Sequence, residues 1–209
     1  MRTPVPHEPN ESRELQVGWV SRILDSEPRV GPVRLVCIDG PAGSGKTTLA
    51  SELATALHVA GPTPAGAAVV HGDEIYEGWD VVASAPDRVA AFGLLPQRIS
   101  AWLLDPWREG RAGRHPVWDW YADAWGPDVE VPAAPVVILE GVGLGAAALR
   151  ELAALSLWVE ADPDIRLARV LARDGEQLHA AMLGWQRDED RWHQLDRTRE
   201  CVDVRLTAQ

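Results

Sequence analysis

An α/β fold with a mostly parallel sheet, covered by helices on both faces, is what this sequence predicts. Three observations predict it. Short apolar runs alternate along the chain with segments of helical period. Two of these runs, Val33–Ile38 apart from Arg34 near its start and Val136–Leu139, are apolar without alternation, as strands covered on both faces are. The first run ends in a glycine-rich turn, Gly40-Pro41-Ala42-Gly43-Ser44-Gly45-Lys46-Thr47, that opens directly into a helical pattern.

That turn fits G-x-x-x-x-G-K-[ST], the pattern of a phosphate-binding loop. Wrapping a chain of phosphates in backbone N–H groups requires small side chains, here Gly40, Ala42, Gly43, Ser44 and Gly45. The helix that follows points its positive end at the phosphates. Lys46 is spaced to reach the β- and γ-phosphates and the Thr47 hydroxyl to hold Mg2+. Thr48 lies one residue too far along for the metal and joins the phosphate-contacting set at the helix start.

The remaining elements follow in order. Residues 1 to about 10 read as a loose end. Glu11–Asp25 predicts a helix with Leu15, Trp19, Val20 and Ile23 on one face, ended by Pro28, Gly31 and Pro32. Residues 1–32 are thus a tail and helix ahead of a single domain over 33–209. Thr47–His58 predicts a helix with Leu49, Leu53 and Leu57 inward, and Gly61-Pro62-Thr63-Pro64 breaks the chain. Ala67–Val70 is a second strand; Asp73 and Glu74 follow its carboxyl end, where doubly wound sheets bind ligands. Asp80–Gly93 is mixed in pattern, Pro96–Glu109 predicts a helix, His115–Trp125 is aromatic and acidic together, and Gly126–Pro135 reads as connection.

Val136–Leu139 closes with Glu140-Gly141, the shape of a metal-holding strand. A turn to Gly145, a short helix Ala146–Ala153 and a strand Leu155–Val159 come next. Asp164 is placed to cap a helix Ile165–Arg173; a second helix, Glu176–Leu195, and a strand, Val202–Leu206, complete the domain. Arg166, Arg169 and Arg173 share one helical face, either as a solvated stripe or as cations closing over a migrating phosphate.

Composition narrows the partners. A net charge of −11 argues against nucleic acid or an anionic membrane surface, but not against a nucleotide, because the loop makes its own positive field. The chain has no run of ~18 apolar residues and no apolar signal core near Met1, so no membrane span is expected. Two cysteines cannot build a disulfide framework, and the chain reads as cytoplasmic. Ten tryptophans stand against two tyrosines and one phenylalanine, and six fall between Trp79 and Trp125. Any one of them is ordinary core; their clustering points to an aromatic ligand wall.

Together, Thr47 and Glu140 supply a metal site, Lys46 and the loop hold the triphosphate of ATP, and Asp73 stands where an acceptor hydroxyl would lose its proton. Five segments in order from about residue 33 to 174 then resemble the uridine kinase group of phosphate-loop kinases: Gly40 to Thr48; Asp73-Glu74-Ile75-Tyr76, similar to D-x-F-Y; Pro116-Val117-Trp118-Asp119-Trp120, similar to P-x-Y-D-[FW]; Leu139-Glu140-Gly141; and Asp164 to Asp174, similar to D-x-R-L-x-R…R-D. The chain departs from that pattern at Ile75, at Trp118, at Asp123 where the family has a histidine, and directly after Asp174, where Gly175-Glu176-Gln177-Leu178 holds no arginine.

The resemblance implies an ATP- and Mg2+-dependent transferase acting on a nucleoside such as uridine or cytidine. It makes Asp73 the base, puts Lys46 and Arg169 in the transfer and Arg166 and Arg173 on ATP, and has Tyr76, Trp118 and Asp119 hold the acceptor. Two other kinase readings stay open. One is a kinase of another small molecule. The other is a nucleoside monophosphate kinase, whose second phosphate would draw on Arg88, Arg98, Arg108, Arg111 or Arg114, Arg98 first. A nucleotide-dependent switch is a different class; neither N-K-x-D nor an ABC signature is present.

Overall fold

A computed structural model describes residues 9–60, 67–78 and 86–208, with side chains from residue 17 onward. The expected loose end before Pro9, the side chain of Leu15, the break at Gly61–Pro64, and Trp79 with the start of the mixed segment lie outside the described residues.

Five strands form one parallel sheet: β1 (Arg34–Asp39), β2 (Ala67–His71), β5 (Val136–Glu140), β6 (Ala153–Glu160) and β7 (Val204–Thr207), in the order β2-β5-β1-β6-β7. Alternate residues of β1 feed two separate cores. Leu35 and Cys37 face one side, packed with Phe92, Leu95, Trp107 and Trp185. Val36 and Ile38 face the other, packed with Trp19 and Ile23 of α1 (Pro9–Asp25) and Leu53 and Leu57 of α2 (Lys46–Ala60). Both faces of the sheet are therefore dry at its inner strands, which is why β1 from Leu35 and β5 read as apolar runs. Burial pushes the Cys37 thiol up, so it behaves as a small apolar side chain.

The helical run before the hairpin begins earlier than the sequence pattern predicts. It starts at α3 (Arg88–Ile99), where the Asp87 side chain accepts the Ala90 N–H at 2.8 Å. It passes Pro96, widens into a π turn at Ser100–Leu104 and ends in α4 (Asp105–Arg108). Pro96 lacks an N–H for the regular ladder, and the wider turn follows it directly.

The segment read as an aromatic stretch plus connection is an antiparallel hairpin, β3 (Gly113–Asp119) and β4 (Ala124–Val131). Pro116 and Pro127 disguise it, since proline is tolerated only where a ladder N–H is not needed. The helix expected over Ala146–Ala153 is one turn, α5 (Ala147–Arg150), because Ala153 already pairs with Leu35 in β6. α6 (Pro163–Asp174) starts two residues before the expected Ile165 and is capped by Asp162, not Asp164: the Asp162 side chain accepts the Asp164 N–H at 2.9 Å. α7 (His179–Asp196) follows a single 3-10 turn, and α8 (Thr198–Cys201) leads into β7.

Candidate nucleotide and acceptor site

Parallel pairing sets Glu140 of β5 between Ile38 of β1 and His71 of β2, so the carboxyl ends of three strands open onto one edge of the sheet. The phosphate loop leaves β1 at that edge. Gly40 and Gly43 hold φ of 145° and 77°; a Cβ on Gly43 would sit 2.5 Å from the Arg166 carbonyl oxygen. Only glycine permits that approach of loop and α6. Ser44 Oγ is buried without a partner, a polar atom suited to a phosphate oxygen.

The loop forms the floor of a cleft of about 610 Å³. Ala42, Gly43, Gly45, Lys46, Thr47 and Thr48 line it from the loop side. Lys46 is buried and its ammonium donates to the Pro41 carbonyl at 3.0 Å. Thr47 Oγ1 donates to Glu140 Oε1 at 3.0 Å, which brings hydroxyl and carboxylate to one point. These are oxygen donors of the kind a hard divalent cation takes, and Mg2+ needs few of them from the protein when phosphates complete its shell. His71 Nδ1 donates to the same Glu140 oxygen at 2.6 Å, and that bond holds the imidazole pKa above its usual value.

Asp73, just past β2, lines the cleft and meets solvent through its mouth. Protein crowding its sides pushes its carboxyl above the usual range, against the pull of Lys46. Trp120 Nε1 donates to the Asp73 carbonyl at 2.9 Å, so the hairpin tip rests on this turn. Trp120 and the exposed Tyr121 face the cleft. Trp118 and Asp119 are not among the residues lining it: the Trp118 ring packs edge-on against Trp125 at 5.2 Å, and Asp119 Oδ1 accepts the N–H groups of Tyr121 and Ala122. Tyr76 is turned into the core against Phe92 and Trp185, and its hydroxyl donates to the Val142 carbonyl. Val142, Leu178, Met182 and Trp185 complete the far wall.

The three arginines of α6 separate. Arg169 and Arg173 line the cleft, Arg169 donating to the Gly43 carbonyl at 3.3 Å and Arg173 paired with Asp174. Arg166 turns inward to a fully buried Glu189 at 2.9 Å.

Behind the loop, Asp39 is wholly buried. It accepts the N–H groups of Gly40 (2.6 Å), Gly143 (3.0 Å) and Gly145 (2.8 Å) and faces His193 Nε2 at 3.1 Å. Burial alone would raise this carboxyl; the His193 ring and the N–H groups outweigh it and hold it below the usual range. Asp39→Ala strands those donors, and an expected loss of about 3–5 kcal/mol is checked by urea unfolding. A depressed carboxylate stabilises above its unfolded pKa, near 3.8, and that part is lost as pH falls through the lower folded value. The stability gap between the native chain and Asp39→Asn therefore narrows as pH drops below 3.8.

Sheet order, loop and cleft together define a protein of the phosphate-loop NTPase fold. A model of the AAA ATPase domain matches residues 12–184, and the chain belongs to that family. Among solved structures, it is similar to a protein proposed as a uridine kinase from Bacillus stearothermophilus, at 21% identity and a TM-score of 0.64, covering 94% of this chain and 99% of that one. It is also similar to a protein proposed as a fructose transport system kinase from a Silicibacter species, at 22% identity and a TM-score of 0.59, covering 94% and 98%. Comparison with curated protein sequences gave no significant match. Among the described residues, no helix is long and apolar enough to cross a membrane.

Proposed function

We propose that this chain is an ATP-dependent phosphotransferase that moves the γ-phosphate of ATP to a hydroxyl of a small acceptor, with nucleosides the first candidates. The observation that carries this reading is the convergence of Lys46, the Thr47–Glu140 pair and Asp73 on one cleft roomy enough for phosphates and an acceptor together. Thr47 and Glu140 would hold Mg2+, which when bound neutralises charge on the β- and γ-phosphate oxygens. Lys46 and the loop N–H groups hold the phosphates. Arg169 and Arg173 balance charge on the migrating group, and Asp73 accepts the acceptor's proton. Trp120, Tyr121 and Trp185 offer the acceptor a flat, apolar wall. The two structural neighbours are both described as kinases, in line with this reading.

An acceptor without its own phosphate fits best. Arg88, Arg98, Arg108, Arg111 and Arg114 each pair with a carboxylate, on Asp188, Glu77, Asp105, Glu109 and Glu130, and none lines the cleft. Arg98, the strongest candidate for a second phosphate, also lies over the Trp102 and Trp125 rings.

The test is ADP release from ATP·Mg2+ with nucleosides, nucleoside monophosphates and small alcohols, each against a blank without acceptor. Stimulation by a nucleoside or alcohol is the expected result. Stimulation by monophosphates alone overturns the acceptor assignment, and turnover equal to the blank throughout replaces the kinase with a nucleotide-driven switch. The free Cys37 and Cys201 suit the reducing cytoplasm, where we place this activity.

A further inference from the structure

Along α7, Met182, Trp185, Glu189 and His193 are all buried, and their three- and four-residue spacing puts them on one helix face. Met182 and Trp185 line the cleft. One and two turns further on, Glu189 and His193 reach the phosphate loop from behind. Glu189 Oε2 accepts the Ala42 N–H at 2.9 Å, while Oε1 takes the Arg166 guanidinium at 2.9 Å. His193 contacts Asp39 Oδ1, the oxygen that accepts the Gly40 N–H. Two backbone donors at the start of the loop are thus tied, directly or through Asp39, to two side chains of one helix.

A loop this rich in glycine has many shapes to lose when it closes on phosphates, and that ordering cost weakens binding unless something meets it beforehand. Ala42 lines the cleft, yet its N–H faces the buried carboxylate. The bond therefore anchors the loop from the rear. Arg166 neutralises Glu189, so the carboxylate can sit close behind an anion site without repelling its occupant.

We propose that α7 is a splint for the phosphate loop, with Glu189 and His193 as positioning residues that fix its Gly40–Ala42 limb in the shape that receives a nucleotide. The proposal rests on the nucleotide-binding reading, so ADP binding to the native chain is measured first by calorimetry. No binding there ends that reading.

Two variants then test the splint. Glu189→Gln keeps Arg166 but sets an amide N–H2 against one of its two donors. Arg166→Met/Glu189→Leu replaces the buried ion pair with apolar bulk, a change that folds tolerate well, and leaves the Ala42 N–H without its acceptor. The expected result is ADP affinity weaker by about tenfold in both, with faster amide exchange confined to peptides spanning residues 40–46. A purely structural ion pair would lower the melting temperature of Glu189→Gln while the double variant kept native affinity and native loop exchange. That pattern overturns the splint, as does tighter ADP binding in either variant. If Glu189→Gln fails to fold, the double variant decides alone.

Discussion

Lys46→Ala lowers kcat by about 10²–10³ with every acceptor, because one well-placed donor to developing charge is worth about that much. The cleft makes this cation hard to replace. Asp73, Glu140 and Asp174 line the same space as the phosphates would, so removing Lys46 leaves a triphosphate facing carboxylates with fewer counter-charges. Nucleotide affinity falls alongside kcat. A second effect separates loss of charge from loss of fold. Lys46 pulls the Asp73 carboxyl down against the crowding that raises it. Without it, the acid limb of any residual activity moves to higher pH. Lys46→Arg does not restore the rate, since a planar fork cannot take the place of a compact ammonium. The measurement is steady-state ADP release across pH, with melting temperature as the control for folding. Activity within threefold of the native chain would remove Lys46 from the transfer.

The legible part of this fold is the part covered on both sides. The inner strands of the parallel sheet, β1, β5 and β6, appear in the sequence as mainly apolar runs, because burial on two faces leaves little polar alternation, whereas the edge strand β7 alternates as Val-Arg-Leu-Thr. The hairpin was hidden by Pro116 and Pro127, which sit where strand pairing spares their missing N–H groups. The early start of α3 depends on the single Asp87 cap inside a stretch of mixed pattern. The phosphate loop is legible since its chemistry is local: eight consecutive residues supply turn, donors, lysine and hydroxyl.

Side-chain direction at a distance is another matter. Periodicity sets Arg166, Arg169 and Arg173 on one face, but Glu189, in a different helix, draws Arg166 into the interior. Trp120 and Tyr121 sit in the turn between β3 and β4, free of strand alternation, and line the cleft, while Trp118 inside β3 packs on Trp125. The clustering of tryptophans marked the stretch that holds Trp120, whereas nothing near Trp185 in the sequence marks it as a wall of the site. Asp39 was hidden in plain view as the last residue of the first strand; its role depends on Gly143, Gly145 and His193, more than a hundred positions away.

Asp73→Asn keeps the nucleotide and loses the transfer, with kcat lower by about 10²–10⁴, the span that general-base catalysis commands. The substitution is well isolated. Trp120 holds the Asp73 backbone carbonyl, not its side chain, so the hairpin tip keeps its anchor when the carboxylate becomes an amide. ADP affinity, which depends on the loop and Lys46, stays near its native value. The pH profile supplies the sharper evidence. Crowding raises the Asp73 carboxyl above its ordinary 3.8, and a base works only when ionised. The native rate therefore climbs as pH rises through a value above 3.8, and that limb is missing from the residual rate of Asp73→Asn. Asp73→Glu restores the charge but moves it by about one methylene, roughly 1 Å or more from the acceptor oxygen, and recovers only part of the rate. Native transfer in Asp73→Asn, or an unchanged acid limb, would mean that the acceptor loses its proton elsewhere. Besides Glu140, which pairs with Thr47, the other carboxylate lining the cleft is Asp174, paired with Arg173, and its variant is the next to measure.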